Sequence, residues 1–214
     1  AIYQAALYGQ TKCLLSLLSK YKDTPWPEYE DSTMVDFAII TVAKYGKINC
    51  LLRLLNQYGQ IAWPGEEGWT LVHNAIFTGI ENNQISCVKK ALIEYGDTPW
   101  PGREGWTIVG YAIHEAAKYS KTTILKQLLK DHGNLPCPTK QEGFTLYHFG
   151  LDRLKYFDKV TQVEYVELLH WIKERLIKYF HTRNTPDQTK QQIEALIDLN
   201  KTLKIEDYES LYHE

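Results

Sequence analysis

Apolar positions recur at a fixed interval along most of the chain. Cys50 is followed by Cys87 at an offset of 37 residues (87 − 50), and the same offset relates Trp63 to Trp100. Within each copy, apolar residues fall at i, i+1, i+4 and i+5, which is one face of an α-helix. The aligned positions are Cys13, Leu14, Leu17, Leu18; Cys50, Leu51, Leu54, Leu55; Cys87, Val88, Ala91, Leu92; and Ile124, Leu125, Leu128, Leu129. A period of this length is typical of stacked repeats, whose copies bury their apolar faces against one another.

Punctuating residues divide each copy into two helices and a hairpin. We expect N-caps for the Cys-bearing helices and left-handed glycines after their last turns. The N-cap candidates are Thr11, Asn49, Ser86 and Thr122, and the glycines are Gly59, Gly96 and Gly133. Extended segments ending in Trp-Pro, or in Cys137-Pro138, then lead into polar loops. A further helix begins after each loop, at Thr33, Thr70, Thr107 and Thr145.

The start of this further helix resembles a known repeat family. Gly68-x-Thr70-x-Val72-His73-x-Ala75, followed by a Leu-Leu helix and a glycine, is similar to the ankyrin repeat. Thr145-Leu146-Tyr147-His148 is a second match, whereas no Thr is followed by proline and the period exceeds the ankyrin repeat's ~33 residues. The resemblance implies an all-α, ankyrin-like helical repeat solenoid, in which His73 and His148 have a structural hydrogen-bonding role.

The pattern changes after Gly150. The capping box at Thr161–Glu164 predicts a helix to about Phe180, with Val166, Leu169, Leu176 and Phe180 on its apolar face. We interpret this helix as part of a final, atypical repeat that closes the array. The predicted organisation is therefore a repeat array of four or five copies over residues 1–182 and a C-terminal helical cap or tail over residues 183–214.

Composition narrows the classes of partner and compartment. A formal net charge of −2 without a Lys/Arg run argues against nucleic acid, and no apolar run is long enough for a membrane helix. The four cysteines form neither a disulfide framework nor a zinc-type pair, which favours a reducing, cytoplasmic compartment. Since the chain starts at Ala1 inside a repeat, we expect further sequence upstream, either repeats or a catalytic domain. Its divergent repeats resemble those of effectors that intracellular bacteria deliver into the host cytosol.

No catalytic signature stands out in the sequence. P-loop, dinucleotide-binding, zinc-protease, nucleophile-elbow and EF-hand patterns are missing, and we predict no cofactor, metal or catalytic residue. A cysteine that recurs in three copies indicates packing, because a catalytic group is needed once. The alternative hypothesis is an enzyme, or its substrate-recruiting part, with a site between the array and the C-terminal helices around His170, Glu174 and His181.

The helices that follow the loops carry the candidate binding residues. The variable positions of these helices lie just after the His position and again one turn further along. The ankyrin resemblance implies that they line a concave face. Aromatic residues there favour a protein or peptide partner, and acidic loops favour a basic one. The candidates are Phe37, Ile40, Asn74, Phe77, Thr78, Tyr111, His114, Glu115, Phe149 and Arg153, with Glu66, Glu67 and Glu104 in the loops. The alternative that the sequence leaves undecided is that the C-terminal tail covers this face.

Overall fold

The computed structural model describes residues 1–27, 31–64, 67–138, 144–154 and 162–183. These residues form helices and isolated bridges, without a continuous strand. The helices are α1 (Ile2–Leu7), α2 (Thr11–Tyr21), α3 (Met34–Lys44), α4 (Ile48–Tyr58), α5 (Leu71–Glu81), α6 (Ile85–Tyr95), α7 (Ile108–Lys118), α8 (Thr122–His132), α9 (Leu146–Arg153) and α10 (Gln162–Arg183). The all-α prediction is therefore confirmed for this part of the chain. Within it, every helix is too short or too polar to cross a membrane.

The helices alternate between two kinds. We call α1, α3, α5, α7 and α9 the first helices, and α2, α4, α6, α8 and α10 the second helices. The chain divides into a first unit, Ala1–Ala116, and a second unit, Ala117–Glu214. In the first unit, α3 packs against α1, α4 and α5, while α4 packs against α2 and α6. In the second unit, α8, α9 and α10 contact one another.

A short hairpin precedes each first helix from α3 to α9. Antiparallel bridges join Pro25 to Thr33, Ala62 to Thr70, Pro99 to Thr107 and Pro136 to Thr145. Beside each bridge, a backbone N–H donates across the hairpin: Trp26 to Ser32, Trp63 to Trp69, Trp100 to Trp106 and Cys137 to Phe144, at 2.7–2.8 Å. The predicted hairpins are therefore present, and the same backbone bonds recur at equivalent positions. These bonds satisfy backbone polar groups in proline-containing segments that do not belong to a sheet.

The predicted N-caps of the second helices are wrong. The N-cap residues are Gln10, Lys47, Gln84 and Lys121, none with a side-chain capping bond, and Thr11, Asn49, Ser86 and Thr122 lie within the first turns. Backbone geometry replaces the cap. Residues with positive φ at Gly9, Gly46, Asn83 and Ser120 end the first helices, and the N–H groups of Thr11 and Ile48 donate back to Gly9 and Gly46. Fewer backbone N–H groups in the first turns of these helices therefore remain for a side chain to cap.

The glycines after the second helices do not have the predicted left-handed conformation. The backbone conformation is right-handed at Gly59, Gly96 and Gly133, with φ of −59°, −57° and −57°. Two of them allow close packing: a Cβ on Gly59 would lie 2.9 Å from Val72 Cγ2, and one on Gly133 would lie 2.5 Å from Tyr147 Cζ. The first helix that follows therefore approaches the chain at these points more closely than any side chain would permit.

Most of the aligned apolar positions form the core, as predicted. Leu14, Leu18, Leu51 and Leu55 are buried in the first unit, and Ile124, Leu125, Leu128 and Leu129 in the second. Cys50, Cys87 and Cys137 are buried, whereas Cys13 is exposed. Burial raises the pKa of Cys50, opposed by a hydrogen bond with Thr11, and raises that of Cys87 to about 11. These buried cysteines therefore act as small apolar residues.

The buried face of α10 differs from the predicted one. Tyr165, Leu168, Leu169, Ile172 and Leu176 are buried, whereas Val166 is only half-buried. The predicted Thr161 cap and the tail over residues 184–214 lie outside the described residues, as does the side chain of Phe180. Contact with both α8 and α9 explains the wider face, because a helix between two neighbours buries more of its circumference than one amphipathic stripe.

Candidate interaction surface

The helices α3, α5 and α9 are each anchored by a threonine and the residue three positions later. The Thr70 N–H donates to His73 Nδ1 at 3.2 Å, and the Thr145 N–H donates to His148 Nδ1 at 2.9 Å. Since Nδ1 accepts in both rings, the proton of the neutral imidazole resides on Nε2. The His73 Nε2–H donates to the Pro99 carbonyl at 2.9 Å, so this side chain links its helix to the next hairpin.

Both histidines are held in the neutral form. Burial lowers the pKa of His73, although its bond to Pro99 opposes the shift. Burial lowers the pKa of His148 to about 4, against the opposing effect of the Thr145 hydrogen bond. An imidazole that stays neutral and makes fixed backbone bonds is a structural element, which agrees with the role implied for both residues.

An aromatic cluster surrounds Tyr111 in the first unit. The Tyr111 ring lies 4.8 Å from Trp69 and 5.6 Å from Trp100, and Trp100 also contacts Trp106 at 5.9 Å and His114 at 5.6 Å. Tyr111 was expected at a solvent-facing position, and this expectation is corrected, since only 5% of it is exposed. Two indole rings cover it, and the burial of such large rings stabilises the packing of the hairpins on α7.

A second aromatic group reaches the surface of α1 and α3. Phe37 is half-buried, with its ring 5.9 Å from Tyr3 and 4.6 Å from Trp26. Tyr3 and Tyr45 are 40% and 39% exposed, and their hydroxyl oxygens lie 3.5 Å apart. The Tyr45 contact is the main cause of a raised pKa at Tyr3. We call Tyr3, Phe37 and Tyr45 the aromatic patch.

The other candidates on the first helices of the first unit lie at two depths. Ile40, Asn74, Phe77 and His114 are half-buried, whereas Thr78 and Glu115 are buried, contrary to the expectation that both face solvent. The Thr78 hydroxyl donates to Asn74 Oδ1 at 3.2 Å, and Glu115 Oε1 lies 3.8 Å from His114 Nε2. Only the half-buried residues therefore reach the surface of these helices.

The candidates of the second unit are separate. Phe149 is 6% exposed, and the Arg153 guanidinium lies 4.5 Å from the centre of its ring. Arg153 also pairs with Asp152 at 3.2 Å. The expected solvent-facing position of Phe149 is therefore corrected, because the stem and guanidinium of Arg153 cover this ring.

The loop residues form an acidic margin. Asp31, Glu67 and Glu104 are exposed, while Glu66 lies outside the described residues. Arg103 is also exposed, but its guanidinium lies 4.7 Å from the centre of the Trp100 ring. Asp31, Glu67 and Glu104 consequently make the charge on this margin negative.

The residues of the alternative, catalytic hypothesis lie on α10. His170 Nε2 and Glu174 Oε1 are 3.4 Å apart and both side chains are largely exposed, while the side chain of His181 is not among those described. A pair at i and i+4 on an exposed helix face is an ordinary surface contact. Within the described ranges, no three His, Cys, Asp or Glu side chains are grouped in a way that suits a metal ion.

Three exposed tyrosines were not singled out from the sequence. Tyr3 occupies the same repeat position as Ile40, Phe77 and His114, so extending that column by one copy would have found it. Tyr8 and Tyr45 share a position with Tyr119, and Tyr8 is 67% exposed. The sequence signal was an aromatic residue repeated at the end of a first helix, where the turn projects side chains outward.

Comparison with known proteins adds no assignment. The sequence matches no model of a known protein family, and it has no significant match among curated proteins. The functional argument therefore depends on the residues and contacts described above.

Proposed function

We propose that this chain is an ankyrin-like repeat array that binds a protein or peptide partner through the first helices of its first unit. One observation carries the proposal: Tyr3 contacts both Phe37 and Tyr45 at the surface of α1 and α3, with Tyr3 and Tyr45 40% and 39% exposed and Phe37 half-buried. Aromatic side chains of this kind are frequent energetic anchors of protein interfaces. The recurring hairpin bonds and anchored first helices support the ankyrin-like architecture.

The surroundings of the aromatic patch favour a preformed surface. Trp26 contacts the edge of Phe37, and Ile40 and Phe77 continue the half-buried row on α3 and α5. Because these side chains belong to packed helices, binding would cost little ordering entropy. The loops that precede α3, α5 and α7 add the exposed acidic margin of Asp31, Glu67 and Glu104. We therefore propose a partner segment with apolar or aromatic side chains and nearby Lys or Arg residues, met in the cytoplasm or, for an effector, in the host cytosol.

The decisive experiment removes the exposed anchors without altering the core. We expect Tyr3→Ala combined with Tyr45→Ala to reduce recovery of specific partners by about tenfold in quantitative affinity purification, while circular dichroism remains unchanged. Ile93→Ala is the matched control, because Ile93 is a 70% exposed apolar residue on α6, a second helix. Equal recovery with the wild type and the double variant would count against the proposal.

The acidic margin has a separate test. Glu67→Lys combined with Glu104→Lys should slow association with a basic partner and make binding less sensitive to salt. Glu94→Lys combined with Asp97→Lys, two exposed changes outside the margin, controls for the same change in net charge. A partner that binds the margin variant and this control equally fast would show that the margin does not orient it.

A further inference from the structure

A groove between α8 and α10 has the properties of a second binding surface. Its volume is about 490 Å³, and both helices contribute one face to its lining. The α8 wall consists of Thr122, Thr123, Lys126, Gln127 and Lys130, and the α10 wall of Glu164, Glu167, Leu168, Trp171 and Arg175. All these residues belong to the second unit, so the groove is independent of the aromatic patch.

Two cations lie against one indole ring in this groove. Lys126 Nζ is 5.5 Å and Arg175 Cζ is 5.4 Å from the centre of the Trp171 ring. Trp171 is itself half-buried and contacts the buried Tyr147 ring at 6.2 Å. The Arg175 charge acts on the Tyr147 hydroxyl, partly opposing the rise in pKa that burial causes there. The indole is thus held between its neighbours, and the two cations are placed on a fixed aromatic support.

The cations of the groove form no ion pair with the described carboxylates. Among the described residues, no Asp or Glu oxygen lies within ion-pair distance of Lys126, Lys130 or Arg175. All three side chains are exposed. An anionic group that entered the groove would therefore gain charge-assisted hydrogen bonds without displacing an existing ion pair.

The distribution of charge along α10 selects the kind of anion. Glu164 and Glu167 precede Trp171 by seven and four residues, and Arg175 follows it by four, so carboxylates and guanidinium lie on opposite sides of the indole along the helix. A uniform polyanion such as nucleic acid or an anionic membrane would meet repulsion at Glu164 and Glu167. A peptide with acidic residues next to an apolar one avoids this, because its carboxylates can reach the cations while its apolar side chain covers Trp171 and Leu168.

We infer that the groove between α8 and α10 binds an acidic segment of a partner protein, with an apolar or aromatic residue seated on Trp171. This partner differs in charge from the one proposed for the aromatic patch, and the two surfaces can fail or hold independently. The groove, with Leu168 and Trp171 at its apolar part, extends about 12 Å along α8, which corresponds to about four residues of extended peptide.

The test uses the full chain and a fluorescein-labelled peptide of Asp, Glu and Ser with one central Phe. Fluorescence polarisation at low salt should show saturable binding that weakens as salt rises. Lys126→Glu and Arg175→Glu should each weaken binding by about tenfold, whereas Lys90→Glu, an exposed charge reversal on α6, should change it little. Circular dichroism verifies that each variant is folded, and Lys126→Gln provides a milder substitution with an intermediate loss.

Several outcomes would overturn the inference. They are no saturable binding at low salt, equal binding of a peptide in which Asn and Gln replace the acids, equal binding of a single-stranded DNA oligonucleotide, or an equal effect of Lys90→Glu. Binding that emerges only after deletion of residues 184–214, whose final stretch Glu206–Glu214 is acidic and aromatic, would assign the groove to the chain itself. None of these results bears on the aromatic patch.

Discussion

The Nε2 atom of His73 lies 2.9 Å from the carbonyl oxygen of Pro99, 26 residues further along the chain. The same ring accepts the Thr70 N–H through Nδ1, so one neutral imidazole fixes the start of α5 and the position of the following hairpin. This bond joins two successive copies by a polar contact in a region where packing is otherwise apolar. The imidazole thus has two backbone partners, and the Thr70 hydroxyl also lies 3.0 Å from its Nδ1.

Replacing His73 removes both bonds at once. We expect His73→Ala to lower the free energy of unfolding by about 2–4 kcal/mol, because the Thr70 N–H and the Pro99 carbonyl lose partners in a buried region. Urea denaturation followed by circular dichroism measures the change. His170→Ala, at an exposed histidine of α10, should change stability by less than about 0.5 kcal/mol. Equal stability of the two variants would contradict the structural role of His73.

Asp36 occupies the position of His73 in the preceding copy, and it is less well satisfied. Its Oδ2 accepts the Thr33 hydroxyl at 2.8 Å, whereas its buried Oδ1 has no hydrogen-bonding partner among the described residues. Ala62 stands in its hairpin where Pro99 stands in the next. Asp36→His should therefore supply a donor for the Ala62 carbonyl and raise the free energy of unfolding by about 1 kcal/mol. Asp97→His, at an exposed site, is the control, and a loss of stability at Asp36 would refute the equivalence.

The second unit should lose stability in mildly acidic solution. The pKa of His148 falls from 6.5 to about 4 on folding, so the unfolded chain binds more protons between these values. The contribution is fully present above pH 6.5 and is lost as the pH falls towards 4, with a total of about 3 kcal/mol. Urea denaturation at several pH values would measure it. His148→Asn does not titrate but retains an acceptor for the Thr145 N–H, and parallel pH profiles for this variant and the wild type would disprove the assignment.

A tight contact between α5 and α6 provides a packing test. A Cβ on Gly79 would lie 2.9 Å from Val88 Cγ2. Gly79→Ala should destabilise the wild type by about 1–3 kcal/mol through overpacking, despite the better helix propensity of alanine. In a Val88→Ala background the same change should be neutral or stabilising. A double-mutant cycle measures this coupling, and additive effects would exclude a direct contact.

The cysteines should differ in their reaction with thiol reagents. Cys13 is exposed, whereas Cys50, Cys87 and Cys137 are buried, and the pKa of Cys87 is raised to about 11. Since the thiolate is the reactive form, we expect rapid native-state alkylation at Cys13 alone among the four. Mass spectrometry after a short exposure to iodoacetamide would locate the label. Comparable labelling of Cys50 or Cys87 in the folded protein would show that their helices open readily.

The sequence predicted the elements better than their ends. The spacing of Leu51, Leu54 and Leu55 identified a buried helix face, and the Trp-Pro segments identified the hairpins, because both follow from local periodicity and backbone chemistry. The ends depended on longer-range contacts. Position 59 requires glycine because Val72 approaches it, although its backbone is right-handed. Lys47 instead of Asn49 is the N-cap of α4, and the left-handed turn at Gly46 satisfies the nearby N–H groups.

The candidate surface was predicted by position but not by depth. Phe37 and Tyr111 share a repeat position, yet Phe37 is half-buried and Tyr111 is buried. Tyr111 contacts Trp69 from the preceding hairpin and Trp100 from its own, whereas Phe37 has Trp26 and the smaller contact with Tyr3. The cation-lined groove between α8 and α10 was not foreseen, since Lys126 and Trp171 are distant in the sequence.

The structural role of His73 and His148 was implied only by the resemblance to the ankyrin repeat. By itself, the sequence determined the helical class and the succession of helix, helix and hairpin. These follow from residue type and spacing, which act within a few residues or at a constant interval. Only the tertiary structure decided that Tyr3 and Tyr45 are exposed, that Tyr111 is covered and that Lys126 and Arg175 meet at Trp171. Exposure and charge pairing depend on which side chains neighbouring helices bring into contact. In an imperfect repeat, these contacts change wherever the copies carry different residues.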